Sequence, residues 1–211
     1  MKTLTLITAL LFATTIGFAQ SSNYTTDMQK GISILDTMKT QSGYEVAAKH
    51  FEKIASTETQ WLPQYYAAYC NLITGVRGSQ DAGTKDEIYG KAMKYITKAD
   101  SISPNNSEIY TLRGYITFMQ MSVYPQKRAM SMIPAASELI GKAIAIDKEN
   151  PRAYLLKGTV LYYTPEMFGG SKDEAKTILT VAKDKFEKFT AKSLQPTWGK
   201  TRVEELLKEY K

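Results

Sequence analysis

The sequence predicts an all-α protein that repeats a helical hairpin about four times, and two observations support this. A small residue, a bulky residue four positions later and a small or aliphatic residue three further on recur four times, on one face of a helix. An apolar segment with helical periodicity precedes each triplet, and almost no segment alternates as a strand does. The triplets are Ala47, Phe51 and Ile54; Ala92, Ile96 and Ala99; Ala136, Ile140 and Ala143; and Ala175, Leu179 and Ala182. Such recurrence is typical of a repeat protein.

The first element along the chain is a predicted signal peptide over residues 1–19. It carries Lys2, an apolar stretch over 4–16 and a small residue, Ala19, at the expected cleavage site. The apolar stretch is shorter than the roughly 20 residues of a membrane span, and no cysteine follows it to accept a lipid. We therefore expect a periplasmic or secreted protein that is neither a lipoprotein nor a transmembrane protein. An uncleaved N-terminal anchor is the alternative.

Four helix pairs are predicted after the signal peptide. Thr84 and Ser171 are each followed three residues later by a glutamate, which predicts a capping box at the start of two second helices. Pro134 suits the first turn of another second helix, because a missing amide hydrogen costs little there. The predicted pairs are 24–39 with 44–57, 62–77 with 85–101, 107–122 with 134–147, and 151–163 with 172–190.

A last amphipathic helix is predicted at about 196–210. Its apolar stripe comprises Val203, Leu206, Leu207 and Tyr210, and charged residues occupy the rest of its surface. Such a helix suits a cap that covers the exposed core of a terminal repeat. We expect Trp198 to pack beneath it.

The third and fourth hairpins resemble the tetratricopeptide repeat (TPR) family. Residues 109–114 (Ile-Tyr-Thr-Leu-Arg-Gly) and 153–158 (Ala-Tyr-Leu-Leu-Lys-Gly) are similar to the aromatic residue and close-packing glycine of the family's first helix. Residues 142–154 are similar to its join between repeats, whereas the first two hairpins match less well. The resemblance implies a right-handed α-solenoid of about four TPR hairpins with a C-terminal capping helix.

The spacing of the repeats supports this resemblance. The leading alanines of the triplets are 45, 44 and 39 residues apart. Within three hairpins the turn is about 11, 10 and 5 residues longer than in the family, and subtracting these lengths leaves the family period of about 34 each time. We therefore expect one solenoid domain over 20–211 with inserted turns on one edge. Its repeats are expected at about 28–59, 62–104, 107–148 and 151–190.

Composition narrows the class of partner. The net charge is +6, but the lysines are interleaved with aspartate and glutamate and an exported chain seldom meets nucleic acid. We expect no nucleic-acid partner, and lysines on the outer faces of helices, with peripheral contact to an anionic envelope surface as the alternative. The single cysteine, Cys70, excludes an intrachain disulfide.

Catalytic chemistry has little support in this sequence. His50 is the only histidine, and it is expected to be a surface or packing residue. We recognise no Ser/His/Asp set, no zinc-ligand spacing and no phosphate-binding glycine loop. We therefore predict a protein that is not an enzyme, with no catalytic residue, metal or cofactor; a hydrolase that uses His50 is a minor alternative.

Binding has more support, because the chain contains 14 tyrosines. Tyrosine combines an apolar ring with a hydrogen-bonding hydroxyl, which suits recognition of peptides or amphipathic small molecules. The TPR resemblance implies that first helices line a concave groove, and two aromatic inserts are expected to pack across its mouth. The predicted ligand-binding residues are Tyr66, Thr111, Tyr115, Met119, Tyr124, Arg152, Tyr162, Tyr163, Met167 and Phe168.

Two functions follow as hypotheses. The first is a non-enzymatic, exported TPR protein that binds a peptide, a protein segment or a small amphipathic ligand in its groove. The second is a structural or accessory subunit of a periplasmic or envelope complex that holds a partner protein through the inserted loops.

Overall fold

The computed structural model describes the backbone of residues 14–210 and the side chains of residues 23–210. Residues 1–13 of the predicted signal peptide therefore lie outside the described part of the chain. Within that part there are nine α-helices, one short 3-10 helix and no strand, so the predicted all-α class is confirmed. The helices are α1 (Thr14–Thr37), α2 (Gln41–Thr57), α3 (Trp61–Arg77), α4 (Ala82–Ile102), α5 (Ser107–Val123), α6 (Pro125–Ile146), α7 (Pro151–Tyr163), the 3-10 helix (Glu166–Phe168), α8 (Lys172–Lys188) and α9 (Lys200–Lys208).

The helices pack in the order in which they occur along the chain. Each α-helix contacts the next, and in addition α3 contacts α5 and α5 contacts α7. All twelve residues of the four triplets are buried, so the recurring triplet marks the core-facing side of α2, α4, α6 and α8. The buried apolar residues form two large clusters and a small third one, and partly buried residues such as Tyr115, Met119 and Trp198 pack against both large clusters.

Two glycines allow close approach between the helices of a hairpin. A Cβ atom on Gly114 of α5 would lie 2.7 Å from Cγ1 of Ile140 in α6. A Cβ atom on Gly158 of α7 would likewise lie 2.7 Å from Cγ of Leu179 in α8. Any larger side chain would push these helices apart, which explains why glycine occupies both positions of the repeated first-helix pattern.

The predicted start of α6 is wrong. The helix begins at Pro125, and Pro134 lies inside it rather than in its first turn. Because proline has no amide hydrogen, Pro134 leaves the carbonyl of Met130 without its helical partner. Both residues are exposed, so water can take the place of that hydrogen bond. The residues after Tyr124 that were expected to form an inserted loop are therefore helical.

The start of α4 also differs from the prediction, whereas that of α8 agrees. The N-cap of α4 is Asp81, whose carboxylate accepts the backbone N–H of Thr84 at 3.0 Å, so Thr84 lies within the first turn. At α8 the hydroxyl oxygen of Ser171 accepts the backbone N–H of Glu174 at 3.2 Å, as predicted. The polar insert before α4 is consequently shorter than expected, because much of it extends the helix.

α6 is long and apolar enough, by length and composition, to cross a membrane, with a mean hydropathy of 1.3 over its most apolar window. Core helices of soluble proteins pass the same test. Length and composition alone therefore do not distinguish a membrane-spanning helix from a core helix of a soluble protein.

The segment that follows α8, residues 189–199, returns across α3 and is called here the C-terminal strap. The Tyr66 hydroxyl donates to the carbonyl oxygen of Leu194 at 2.9 Å, and the indole Nε1 of Trp198 donates to the Tyr65 hydroxyl oxygen at 3.0 Å. The Trp198 ring stacks on Tyr69, with centroids 5.1 Å apart and planes 17° apart. The polar and stacking partners of Trp198 thus lie on α3, rather than beneath the last helix as expected.

The last helix, α9, is shorter than the predicted 196–210 but carries the predicted apolar stripe. Val203 and Leu206 are buried and Leu207 and Tyr210 are partly buried. α9 contacts α8, and the Tyr210 hydroxyl donates to the carbonyl oxygen of Lys172 at 2.9 Å. This packing covers the end of the helical array, which is the position expected of a capping helix.

Candidate functional site

The strap covers a cluster of buried polar side chains that are paired with one another. This cluster is called here the closed region. Arg152 of α7 is only 1% exposed, and its Nε and Nη2 donate to the two carboxylate oxygens of Glu108 at 2.7 and 2.6 Å. Its guanidinium also lies 4.5 Å from the ring centroid of Phe189 and 5.9 Å from that of Trp198, both in the strap. The ion pair is bidentate, and the guanidinium also contacts two aromatic rings of the strap. It therefore fixes the strap and the helices relative to each other.

The electrostatics of the closed region favour this arrangement. Burial acts to lower the pKa of Arg152, but the hydrogen bonds and charge of Glu108 outweigh it and the pKa is raised. Burial also raises the pKa of Tyr65 and of Tyr66, so both hydroxyls stay neutral. Nη1 of Arg152 and Oγ1 of Thr111 are buried without a hydrogen-bond partner among the described residues. The closed region is therefore buried, and it retains two polar atoms that no described residue satisfies.

A second region lies on the same side of these helices, one or more turns further along each of them, and is called here the open region. Its base is an aromatic floor formed by Tyr69, Tyr115, Tyr163 and Trp198. Tyr115 lies one turn beyond Thr111 in α5 and is only partly buried, as is Trp198. Tyr163, at the end of α7, is 52% exposed. Tyr69 is buried, so the rings of the floor that reach solvent are those of Tyr115, Trp198 and, above all, Tyr163. Tyr115 and Trp198 pack against two separate clusters of buried apolar residues.

Two arginines stand beside this aromatic floor. Nη2 of Arg202, at the start of α9, donates to the Tyr163 hydroxyl oxygen at 2.8 Å. The guanidinium of Arg77, at the end of α3, lies 5.6 Å from the ring centroid of Tyr44. Burial raises the pKa of the Tyr115 hydroxyl, and Arg202 and Arg77 lie close enough to act in the opposite direction. The Tyr115 hydroxyl is therefore within electrostatic reach of both positive charges.

The structure divides the predicted ligand-binding residues among three places. Tyr66, Thr111 and Arg152 are buried and belong to the closed region. Tyr115, Met119 and Tyr163 belong to the open region. The remaining four lie at or near the inserted turns and are Tyr124, Tyr162, Met167 and Phe168.

Those four residues differ in exposure. Met167, in the 3-10 helix, is 82% exposed, whereas Phe168 is partly buried against the core. Tyr162 packs edge-on against Tyr163 with centroids 4.8 Å apart. Both tyrosines line a cleft of about 470 Å³. Tyr124 lies under the guanidinium of Arg128, 4.9 Å from its ring centroid.

The predicted ligand-binding residues did not include Tyr69, Trp198, Arg77 or Arg202. Arg202 was assigned to the charged face of the capping helix, and no local pattern relates it to Tyr163, which is 39 residues away. Trp198 offered one signal, because a large aromatic residue at the start of a short amphipathic helix needs a packing partner elsewhere. That partner, Tyr69, could only be identified from the fold.

The groups with catalytic potential lie elsewhere. A ring nitrogen of His50, Nε2, is 2.8 Å from the backbone oxygen of Asp27, and its ring packs against Phe51. Cys70 is buried, and burial raises the pKa of its thiol. Within the described residues, no group of three or more histidine, cysteine or acidic side chains is arranged to hold a metal ion. The chemistry available in the open region is stacking, hydrogen bonding and attraction of negative charge.

A solved structure with a similar fold is that of the HusA haemophore from Porphyromonas gingivalis. The two sequences are 29% identical, the match covers 87% of this chain and 90% of that chain, and the TM-score is 0.78. No protein-family model matches the chain, and no curated protein matches it. Since a haemophore is a haem-capturing protein, the similar structure belongs to a binding protein rather than to an enzyme.

Proposed function

We propose that this chain is an exported, non-enzymatic protein that captures haem, or a related flat and carboxylated aromatic molecule, on the aromatic floor. The observation that carries the proposal is the similarity to a haemophore, which extends over 87% of the chain. The exported location follows from the signal peptide expected at residues 1–19, which places the mature protein in the periplasm or outside the cell.

The open region fits a ligand of this class. The porphyrin of haem is a wide, flat aromatic ring with carboxylates on one edge. A site that binds it requires an apolar surface with positive charge beside it. Tyr115, Tyr163 and Trp198 supply the rings, and Arg77 and Arg202 supply the charge. A stacked aromatic pair contributes about 0.5–1.5 kcal/mol beyond the area it buries, so three rings can hold such a ligand without a covalent bond.

We also propose that the hairpins form a TPR-type right-handed solenoid in which α3, α5 and α7 line the inner face. The sequential packing of the helices and the close approach at Gly114 and Gly158 support this arrangement. In such a solenoid the strap occupies one half of the groove and the aromatic floor forms the other half. The ligand therefore binds beside the strap rather than along the whole groove.

Titration of the mature protein with haem tests the proposed function. We expect one haem per chain and a shift of the haem absorption band, with an affinity that Tyr163→Ala lowers about tenfold because a stacking ring is lost. The matched control is Tyr154→Ala, which removes a tyrosine of the same helix that packs near Lys185. Absence of haem binding by the unchanged protein would sink the proposal, as would equal losses in both variants.

The second function, an accessory subunit that holds a partner protein, has one observation in its favour. Met167 is 82% exposed and Met130 of α6 is 78% exposed, and the 3-10 helix that carries Met167 packs beside α6. Exposed methionines at neighbouring positions are common on protein-binding surfaces. A partner held there would leave the aromatic floor open, so this function does not compete with ligand capture for the same residues.

A further inference from the structure

We propose that Arg77 and Arg202 select ligands that carry two carboxylates, each arginine binding one of them while the ligand's flat ring lies on the aromatic floor. This inference rests on the proposed function and adds the chemical feature by which the open region distinguishes one amphipathic ligand from another. The ligand is then selected by the negative charge at its edge.

Arg202 is held in position before any ligand arrives. Its Nη2 donates to Tyr163 at 2.8 Å and its Nη1 donates to the carboxylate of Glu205 at 3.2 Å, one turn along α9. Both bonds are partly exposed, and a guanidinium has five N–H donors, so several donors stay available. Since Tyr163 belongs to the floor, a ligand that stacks on this ring places its edge beside the guanidinium.

Arg77 is connected to the other side of the floor through a row of rings. Its guanidinium lies over Tyr44, which packs edge-on against Tyr69 with centroids 6.3 Å apart, and Tyr69 in turn stacks on Trp198. Arg77 is exposed and forms no ion pair with any described residue. Its positive charge is therefore balanced only by solvent, which leaves it available to a carboxylate.

The charge balance around the floor favours an anionic ligand. Glu205 pairs with Arg202 but is itself 54% exposed, and Arg77 has no acidic partner among the described residues. Both arginines act on the Tyr115 hydroxyl, which stays neutral since burial raises its pKa. A net positive charge therefore remains at the edge of the aromatic floor, whose rings are uncharged. Two carboxylates on one flat molecule complement that pattern, whereas an esterified molecule of the same shape leaves both guanidinium groups without a partner.

The test compares metal-free protoporphyrin IX with its dimethyl ester, which has the same ring and no carboxylate. Binding is followed by quenching of tryptophan fluorescence, with the same cosolvent for both ligands. We expect the unchanged protein to bind the free acid at least tenfold more tightly than the ester, and the preference to shrink as salt is added. Arg77→Gln and Arg202→Gln are each expected to weaken binding of the free acid about fivefold and to leave binding of the ester unchanged.

Two further variants make the result decisive. Arg202→Lys keeps the positive charge and is expected to restore part of the preference, which a purely structural role of Arg202 would not do. Lys98→Gln removes the same charge from an exposed position on α4 and is expected to change neither affinity. Thermal unfolding followed by circular dichroism verifies that each variant is folded.

Three outcomes would overturn the inference, and they separate it from the proposed function. Equal binding of acid and ester by the unchanged protein would refute the two-arginine selection while leaving the aromatic floor as a binding site. Equal loss of both ligands in the Gln variants would show that the arginines only support the floor. If neither porphyrin binds and haem does not bind either, the proposed function fails and the inference fails with it.

Discussion

The closed and open regions lie on the same side of the same three helices, yet they differ in how their charged groups are satisfied. In the closed region Arg152 is 1% exposed and both of its remaining neighbours, Glu108 and the strap, belong to the protein. In the open region Arg77 has no acidic partner among the described residues, and Tyr163 is half exposed. The Arg152 guanidinium, paired with Glu108 inside the protein, joins two helices, whereas the Arg77 guanidinium is left to solvent beside aromatic rings.

The difference arises within single helices. α3 contributes Tyr66 to the closed region and Tyr69 to the floor, and α5 contributes Thr111 and then Tyr115 one turn later. The strap ends at Gly199, whose positive φ of 117° starts α9 in a new direction. The strap therefore contacts α3 at Tyr65, Tyr66 and Tyr69 before the chain turns into α9.

The largest expected effect is on the closed region. Arg152→Ala leaves the Glu108 carboxylate buried without its partner, and we expect it to lower the free energy of unfolding by about 3–5 kcal/mol. Denaturant unfolding followed by circular dichroism measures the change. Arg113→Ala is the matched control, because its ion pair with Asp100 is partly exposed and is expected to contribute about 1 kcal/mol or less. Equal losses in the two variants would erase the distinction between the regions.

An intermediate effect is expected at Trp198, which both regions share. Trp198→Ala removes the stack on Tyr69 and the hydrogen bond to Tyr65, and we expect a loss of about 2–3 kcal/mol of stability. Because the same ring belongs to the aromatic floor, haem affinity is expected to fall as well. Trp61→Ala serves as control: Trp61 packs edge-on against Tyr65 but lies outside the floor, so its loss should reduce stability alone. A Trp198 variant with unchanged haem affinity would remove this residue from the open region.

The smallest effect is expected at Tyr66, and its size depends on pH. Tyr66→Phe removes the hydrogen bond to Leu194 and is expected to cost about 1 kcal/mol near neutral pH. Burial raises the pKa of Tyr66, so the stability gained from its neutral hydroxyl is present below the usual tyrosine pKa of about 10 and is lost as the pH rises above it.

The stability difference between the unchanged protein and Tyr66→Phe is therefore expected to narrow above pH ~10, because only the unchanged protein has this group to ionise. Unfolding in urea at neutral and alkaline pH measures it. The other tyrosines are common to both proteins and cancel in the comparison. A difference that stays constant across this range would show that the Tyr66 hydroxyl is not sequestered by the strap.

The sequence predicted the helices well because their information is local. Seven of the nine α-helices begin within four residues of the predicted segments, and the alanine triplets and Ser171 were assigned correct packing and capping roles. The other two begin earlier than predicted, α1 at Thr14 and α6 at Pro125. At α6 the error arose because a proline such as Pro134 is more common at a helix start than inside a helix. The exposed position of Met130 and Pro134, which makes the interior proline tolerable, is a tertiary property.

The candidate site was only half predictable for the same reason. Tyr115 and Tyr163 follow from the first-helix pattern; Tyr115 is partly buried and Tyr163 is half exposed. The strap breaks the pattern because its contacts join residues up to 133 positions apart, and no periodicity encodes such a pairing. Its presence moved Tyr66 and Arg152 from a predicted groove into the interior, and it brought Trp198 into the site.

The strap also bears on how the chain becomes folded. Stacked repeats usually unfold piece by piece, because each repeat contacts only its neighbours. Here the hydrogen bonds from Tyr66 to Leu194 and from Trp198 to Tyr65 link the second hairpin to residues beyond the fourth. Loss of either contact then loosens both parts of the chain, which couples their unfolding. The early helices also cannot reach their final packing until the chain is available as far as Trp198, so folding is completed only after the strap has formed.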